Sequence, residues 1–330
     1  MREITYIEAI NEAIKEEMER DENIFVIGED IEFSPFGATK GLVEKFGEKR
    51  IRNAPLSEAG FTGLAVGSAL TGLRPIVEIM YIDFITTAMD QVINQTAKLS
   101  LMSGFQVKVP IVIRTQYGIG TREAAQHSQS LEAWFCHTPG LKVVMPSTPY
   151  DAKGLLKTSI RDDSPVIFIE NRMLYYKKGY VPEEEYLIPL GKGDIKKEGK
   201  DITIVAISNM VPKALEVAEE ISSEISCEVI DPRTLVPLDI DIIVESVKKT
   251  NKILVLHEAP ERCGIGAEIV KKVVEKAFDY LDSPPKVLAG LNTPIPFSSV
   301  LEDVCVPQKE DITQTIIKMV KGDKDEKNKF

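Results

Sequence analysis

The apolar positions of this chain follow two rhythms. Ile7, Ile10, Ile14 and Met18 recur at three- and four-residue steps, which places them on one face of a helix, and Thr5 with Glu8 three residues on supplies the capping box that starts it. After that helix come short β-branched runs: IFVIG (24–28), RPIVEIM (74–80), VPIVIRT (109–115), LKVVMPS (141–147) and PVIFIE (165–170). Most are separated by helix-length segments, and such runs predict strands buried on both faces of a parallel sheet. A second series, DITIVAIS (201–208), CEVIDPRT (227–234), KILVLHEA (252–259) and KVLAGLN (286–292), repeats the β/α alternation. Between the series, residues 177–200 are rich in charge, proline and glycine and lack a sustained apolar period. The pattern therefore predicts an α/β protein with two parallel-sheet domains, 1–180 and 201–330, joined by a linker at 181–200. The closing KGDKDEKNKF predicts a frayed tail.

Length and composition narrow the class. A chain of 330 residues is more than one core usually fills. Its formal net charge of -11 argues against a polyanion-binding surface, so nucleic acid is not an expected partner. The four cysteines, Cys136, Cys227, Cys263 and Cys305, show neither CxxC nor His/Cys ligand spacing, so neither a disulfide framework nor a zinc site is indicated, and a reducing cytoplasm is the simplest home. No apolar run reaches the roughly 20 residues of a membrane span, and the N-terminus has no apolar signal core.

Several stretches carry candidate chemistry. YGIGTRE (117–123) follows a predicted strand like a dinucleotide fingerprint, but Glu123 stands where glycine or alanine belongs, and no acid ends a strand at the required distance. Gly264 and Gly266 in CGIGAEIV fit a close-packed helix start, and no GxxxxGK[ST] loop is present. Among the histidines, His137 before a Pro-Gly turn reads as structural, and His257 ends a strand, where it faces a partner or caps a hydrogen-bond network. His127 lies in a polar loop leaving a strand, where it either satisfies backbone groups or contacts a ligand. Glu58 is the one acid of PLSEAGFTGLAVGSALTGLRP. Behind Ser57 as N-cap it complements the helix dipole, worth about 0.3 to 1 kcal/mol. That leaves unexplained Gly60, Gly63, Gly67 and Gly72, each costing up to about 1 kcal/mol of helix propensity. Gly63 and Gly67 share a face, so another helix, from this chain or a second subunit, can approach closely; a carboxylate at such a seam is desolvated and can share a proton with a ligand nitrogen.

PLSEAGFTGLAVGSALTGLRPIVE, with DFITTAMDQVINQTAKLSLMSG, VPIVIRT, AAQHSQSLEAWFCHTPGLKVV, PSTPYDAKGLLKTSIRDDSPVIF, DPRTLVPLD and HEAPERCGIGAEI, closely resembles the beta subunit of the thiamine-diphosphate-dependent first component of 2-oxo acid dehydrogenase complexes, across nearly the whole chain. The resemblance implies a transketolase-like architecture: a domain that holds the cofactor's aminopyrimidine, then a transketolase C-terminal-like domain. It implies that Glu58 hydrogen-bonds the pyrimidine nitrogen and promotes the imino tautomer that deprotonates the thiazolium carbon. By the same carry-over Phe84 packs on the pyrimidine, Leu56 is its apolar neighbour, Glu29 lies nearby, and His127 faces the reacting carbon. Ile111, Ser159, Ile160, Asp162 and Ser164 match a structural potassium site of mostly main-chain oxygens, with an ordinary helix-to-strand turn as the plain alternative.

The GDG motif and paired asparagines that hold the diphosphate and Mg²⁺ in such enzymes are missing. The resemblance thus implies half a site, completed by an alpha subunit that binds Mg²⁺, in a heterotetramer with two copies of each chain. The activity implied is cleavage of a carbon-carbon bond beside a carbonyl and acylation of the lipoyl group on the complex's second component, docked through the C-terminal domain. RTQYGIGTREAAQHSQS and NTPIPFSSVLED most resemble acetoin-cleaving members, with pyruvate and branched-chain 2-oxo acids as alternatives; EFSPFGATKG (32–41) departs from relatives in length and lacks their glycine pair. A reading of another class is a non-catalytic docking subunit.

Overall fold

The helix expected at the start of the chain forms over Tyr6–Arg20 in the computed structural model, which describes residues 1–322. Thr5 and Glu8 cap it reciprocally: Glu8 N donates to Thr5 Oγ1 at 3.3 Å and Thr5 N to Glu8 Oε2 at 2.8 Å. Ile7, Ile10, Ile14 and Met18 are all buried. They pack with Ala152, Leu155, Leu156 and Ile160 of the helix Pro149–Arg161. Buried charges lie within the same contact, where Lys153 Nζ reaches Glu16 at 2.6 Å and Lys157 Nζ reaches it at 2.7 Å. Arg161 meets Glu17 at 2.6 Å.

The strands of the first unit are β1 (Arg2–Thr5), β2 (Ile24–Glu29), β3 (Ile51–Ala54), β4 (Arg74–Tyr81), β5 (Val112–Tyr117), β6 (Lys142–Val144), β7 (Val166–Asn171) and β8 (Lys178–Val181). Further along the chain come β9 (Asp194–Lys197), β10 (Ile202–Ala206), β11 (Cys227–Asp231), β12 (Thr234–Val236), β13 (Ile253–Pro260) and β14 (Lys286–Gly290). Seven of them form one sheet in the order β12-β6-β7-β5-β4-β2-β3, parallel except for the β12–β6 pair. β5 and β7 are buried along their whole length, as runs of β-branched residues covered on both faces should be. Arg114 of β5 is buried too, and it is held by Glu78 at 2.5 Å and by both oxygens of Glu170 at 2.8 and 2.9 Å. Burial opposes its charge, but the two carboxylates outweigh that and raise its pKa.

The second sheet runs β14-β13-β10-β11-β9, parallel except for β11–β9. Its core gathers Ile202, Ile204 and Ala206 with Met210, Val217, Ile312 and Ile316. The chain divides into one compact unit of Met1–Leu190 with Thr234–Pro237, and a second of Gly191–Arg233 with Leu238 onward. Residues 181–200, expected to be a linker, are thus shared out: Ile188 joins the first core, while β9 adds an edge strand to the second sheet. The three charges of DIKK disguise that strand, because an edge position needs only backbone pairing. DPRTLVPLD likewise divides, its centre returning as β12 to the first unit. The helix Lys309–Lys321 ends at Gly322, and the remaining expected tail, 323–330, lies outside the described residues.

Candidate functional site

β7, β5, β4 and β2 are parallel neighbours, so their C-terminal ends open side by side, the place where open α/β sheets collect ligand-contacting groups. Glu29 closes β2, Tyr81 closes β4, loop 118–131 leaves β5, and Arg172 follows β7. β3 leads through the exposed Leu56 into the helix Glu58–Leu70.

The backbone after Tyr81 is irregular: α-helix over Ile82–Ile85, a 3₁₀ turn over Thr86–Ala88, then a π-helix over Asp90–Thr96. Wide π turns are rare and concentrate at functional sites. This arrangement sets Thr87 Oγ1 2.9 Å from the carbonyl oxygen of Phe84 and 3.1 Å from Glu58 Oε2. Glu58 and Phe84, far apart in sequence, therefore share one wall. Glu29 joins them electrostatically: burial raises its pKa, and the nearby charges of Asp30 and Glu58 raise it further.

His127 completes the wall. Its ring stands edge-on to Phe84 and Tyr81, with centroids 5.2 and 5.0 Å away. The loop that carries it bends through Gly118, Gly120, Arg122 and Ala124, all at positive φ. For Arg122 and Ala124, both at φ 63, that backbone costs about 1–2 kcal/mol each, and such strain clusters at functional sites. Gly120 suits the turn because its φ of +113 is one that L side chains rarely adopt, and a Cβ there would also lie 2.6 Å from Met173 Sδ. YGIGTRE is therefore a loop pinned to the segment after β7, with no helix opening behind it as a dinucleotide site would need.

The sequence offered no site role for Tyr81, Thr87, Asp83, Gln129 or Arg172, and named Glu123 only as the residue that breaks a dinucleotide fingerprint. Tyr81 Oη donates to Glu123 Oε1 at 3.1 Å and accepts from Arg172 at 2.7 Å. Arg172 also donates to both Glu123 oxygens, at 2.9 and 2.7 Å, and lies over the Phe36 ring. Burial pushes the Glu123 carboxyl up, but hydrogen bonds from Thr121 and Arg172 prevail and hold it below the usual carboxylate range. Asp83 is buried, accepts from Gln129 Nε2 at 2.8 Å, and has its pKa raised by burial. The one clue in sequence was position, at the carboxyl ends of strands.

The glycines of the helix Glu58–Leu70 have separate causes, and only part of the expected seam is built within the chain. Ser57 sits at the cap position but makes no side-chain cap bond, contrary to expectation. Its Oγ instead lies over Gly60, where a Cβ would come within 2.6 Å. A Cβ at Gly63 would meet Gln91 of the π-helix at an ordinary 3.6 Å, while Gly72, expected within the helix, lies beyond its end at Leu70 and serves a turn at φ +98. Gly67 has open space before it, next to the half-exposed Leu64.

Of the other residues named from sequence, His137 is exposed. His257 is fully buried, with Nδ1 3.1 Å from Ala259 O and its ring against Gly264 and Gly266, where a Cβ would come within 2.6 and 2.8 Å of it. Burial lowers its pKa to about 4. Ser159, Ile160, Asp162 and Ser164 turn from helix to β7, beside Ile111, whose carbonyl accepts from Val166 N at 2.9 Å. Arg74 donates to the carbonyls of Ile160 and Asp162 at 2.9 and 2.6 Å, and Lys142 reaches Asp162 Oδ2 at 2.5 Å. Each carbonyl keeps a second lone pair, so the oxygen set remains compatible with a monovalent cation. Among the described residues no group of three His, Cys, Asp or Glu side chains is placed to hold a metal, all four cysteines are free, and no helix is long and apolar enough to cross a membrane.

The first unit is thus a mostly parallel sheet that carries Glu58, Phe84 and His127 on one wall at its strand ends. Residues 2–178 match the family model for the transketolase pyrimidine binding domain, and residues 191–312 match the transketolase C-terminal domain. The chain is 48% identical to the acetoin:2,6-dichlorophenolindophenol oxidoreductase subunit beta of Bacillus subtilis, over 97% of this chain and 98% of that one. It is 47% identical to the pyruvate dehydrogenase E1 component subunit beta of Rickettsia felis, over 96% and 98% of the two chains. Among solved structures, a split-gene transketolase described as an inactive beta4 tetramer superposes with a TM-score of 0.77 at 23% identity, covering 96% of this chain and 98% of that one, which supports the fold. The chain belongs to the transketolase-like beta subunits of thiamine-diphosphate-dependent first components of dehydrogenase complexes, a family of oxidoreductases.

Proposed function

We propose that this chain is the beta half of a thiamine-diphosphate site that cleaves a carbon-carbon bond beside a carbonyl and passes the acyl group to a lipoyl group on a second component. The observation that carries this reading is the wall on which Thr87, Phe84 and Tyr81 connect Glu58 to His127. The residues fit the cofactor: Glu58 is half-buried in the first turn of its helix, and Phe84 and Leu56 leave apolar surface beside it. Bound thiamine diphosphate would supply the electron sink. Glu58 would hold a proton against the pyrimidine nitrogen, with Phe84 and Leu56 against the ring and Glu29 nearby. His127 would handle protons on substrate and lipoyl-linked groups.

The substrate favoured is acetoin, with pyruvate and branched-chain 2-oxo acids as alternatives; the Bacillus subtilis and Rickettsia felis relatives divide along that line. An alpha subunit would bring the diphosphate and Mg²⁺ ligands in an α2β2 assembly, and the open face at Leu64 and Gly67 suits a helix from such a partner. The second component would dock on the C-terminal unit, where Phe297, Val300, Leu301 and Val304 stand exposed. Ile111, Ser159, Ile160, Asp162 and Ser164 would hold a structural potassium ion, read out as a higher melting temperature in potassium than in choline salts.

The test is Glu58→Gln in the chain reconstituted with an alpha subunit from the same organism. Thiamine-dependent turnover should fall by about 10²–10⁴-fold. Undiminished turnover removes Glu58 from the chemistry and the reading with it.

A further inference from the structure

We infer that the Glu123–Arg172 ion pair sets substrate specificity at this site, selecting an uncharged α-hydroxyketone over a 2-oxo acid anion. The inference rests on the function proposed above. Tyr81 is the joint between the pair and the chemistry. Its ring contacts His127 and Phe84, with centroids 5.0 and 5.4 Å away, while its hydroxyl touches Glu123 and Arg172. A charge at the pair is thus one tyrosine ring from the histidine.

The charge there is cancelled. Arg172 Nη1 reaches Glu123 Oε1 and Oε2, and its guanidinium is stacked over Phe36 at 4.9 Å and Tyr81 at 5.7 Å, so it is not at liberty to turn toward a substrate. Thr121 Oγ1 holds Glu123 Oε2 at 2.7 Å from the other side. The rest of the wall carries the acids Glu29, Asp30 and Glu58, close enough for the latter two to raise the Glu29 pKa. A carboxylate arriving at this wall meets like charge and a cation already neutralised, whereas a hydroxyketone presents only a hydroxyl and a carbonyl. The pair is about one-third exposed, so its field reaches into the site but is partly screened.

Opposite substitutions should act in opposite directions. In the reconstituted enzyme, Glu123→Gln leaves the guanidinium uncompensated and should lower the acetoin-to-pyruvate ratio of kcat/KM by about tenfold. Arg172→Met leaves the carboxylate uncompensated and should raise that ratio, and the double variant should return toward the wild-type value. A purely structural role cannot produce that divergence. The readout is thiamine-diphosphate-dependent reduction of 2,6-dichlorophenolindophenol. Wild type should favour acetoin whether or not the variants assemble, and Thr121→Val should shift the ratio in the direction of Glu123→Gln. Thiamine-dependent turnover that favours pyruvate in wild type, or variants whose ratios move together or stay fixed, overturns the specificity role and leaves the proposed function standing. Turnover of neither substrate by the assembled pair overturns both.

Discussion

Thr87 Oγ1 lies 3.1 Å from Glu58 Oε2 and 2.9 Å from the carbonyl oxygen of Phe84, so one hydroxyl ties the helix Glu58–Leu70 to the segment that follows β4. In the function proposed above, that contact would orient the Glu58 carboxylate toward the cofactor. Thr87→Val keeps the shape and removes the hydroxyl, and should lower thiamine-dependent turnover about tenfold, with Thr87→Ser restoring most of it. Equal rates for all three forms would show that Glu58 is oriented by other means.

The His127 ring packs edge-on against Tyr81 and Phe84 and acts electrostatically on the Asp83 carboxyl, and it is half-buried and belongs to neither apolar core. His127→Ala should therefore leave the melting temperature within a degree or two while lipoyl acylation falls by about 10²-fold or more. Acylation at the wild-type rate would remove it from the mechanism.

Gly67 separates folding from assembly. A Cβ there meets nothing within 4 Å, so Gly67→Ala should stabilise the isolated chain by up to about 1 kcal/mol through helix propensity. If a partner helix closes on this face, the same change should weaken association with the alpha subunit, measured by sedimentation. Unweakened association would place the partner elsewhere.

His257 predicts acid sensitivity. Its pKa is lowered by burial from 6.5 to about 4. Between those values the folded chain binds fewer protons than the unfolded one, so the stability present above pH 6.5 is lost as pH falls toward 4, at up to about 1.4 kcal/mol per pH unit. Urea midpoints measured from pH 7 to 5 should fall less steeply in His257→Gln than in wild type. Parallel slopes would assign the acid loss to other groups.

The sequence exposed those parts of the fold that a local pattern specifies. The β-branched runs became β2, β4, β5, β6, β7, β10, β11, β13 and β14, because buried strands need unbroken apolar residues; β14 alone of these is a half-exposed edge strand. β1, β3, β8, β9 and β12 escaped notice: each is three or four residues long and lies at a sheet edge or in a two-stranded pair, so pairing partners decide them. The same division holds for the site. Glu58, Phe84 and His127 were named as candidates one by one through the resemblance, and the structure brings these three candidates to one wall. Tyr81, Glu123 and Arg172 acquire meaning only when parallel strands align their ends, since 42 and 91 residues separate Tyr81 from its two partners. Ser57 shows the limit of local rules, for its hydroxyl is placed over Gly60 where a capping bond was expected.

The central claim is that this chain carries half of a thiamine-diphosphate site. Calorimetric titration of thiamine diphosphate with Mg²⁺ into the isolated chain, the alpha subunit alone and the assembled pair tests it most directly. Saturable binding should appear in the pair, be weak or absent in either chain alone, and be diminished in a pair carrying Glu58→Gln. Full-affinity binding by the alpha subunit alone, unchanged by adding this chain or by Glu58→Gln, would contradict it.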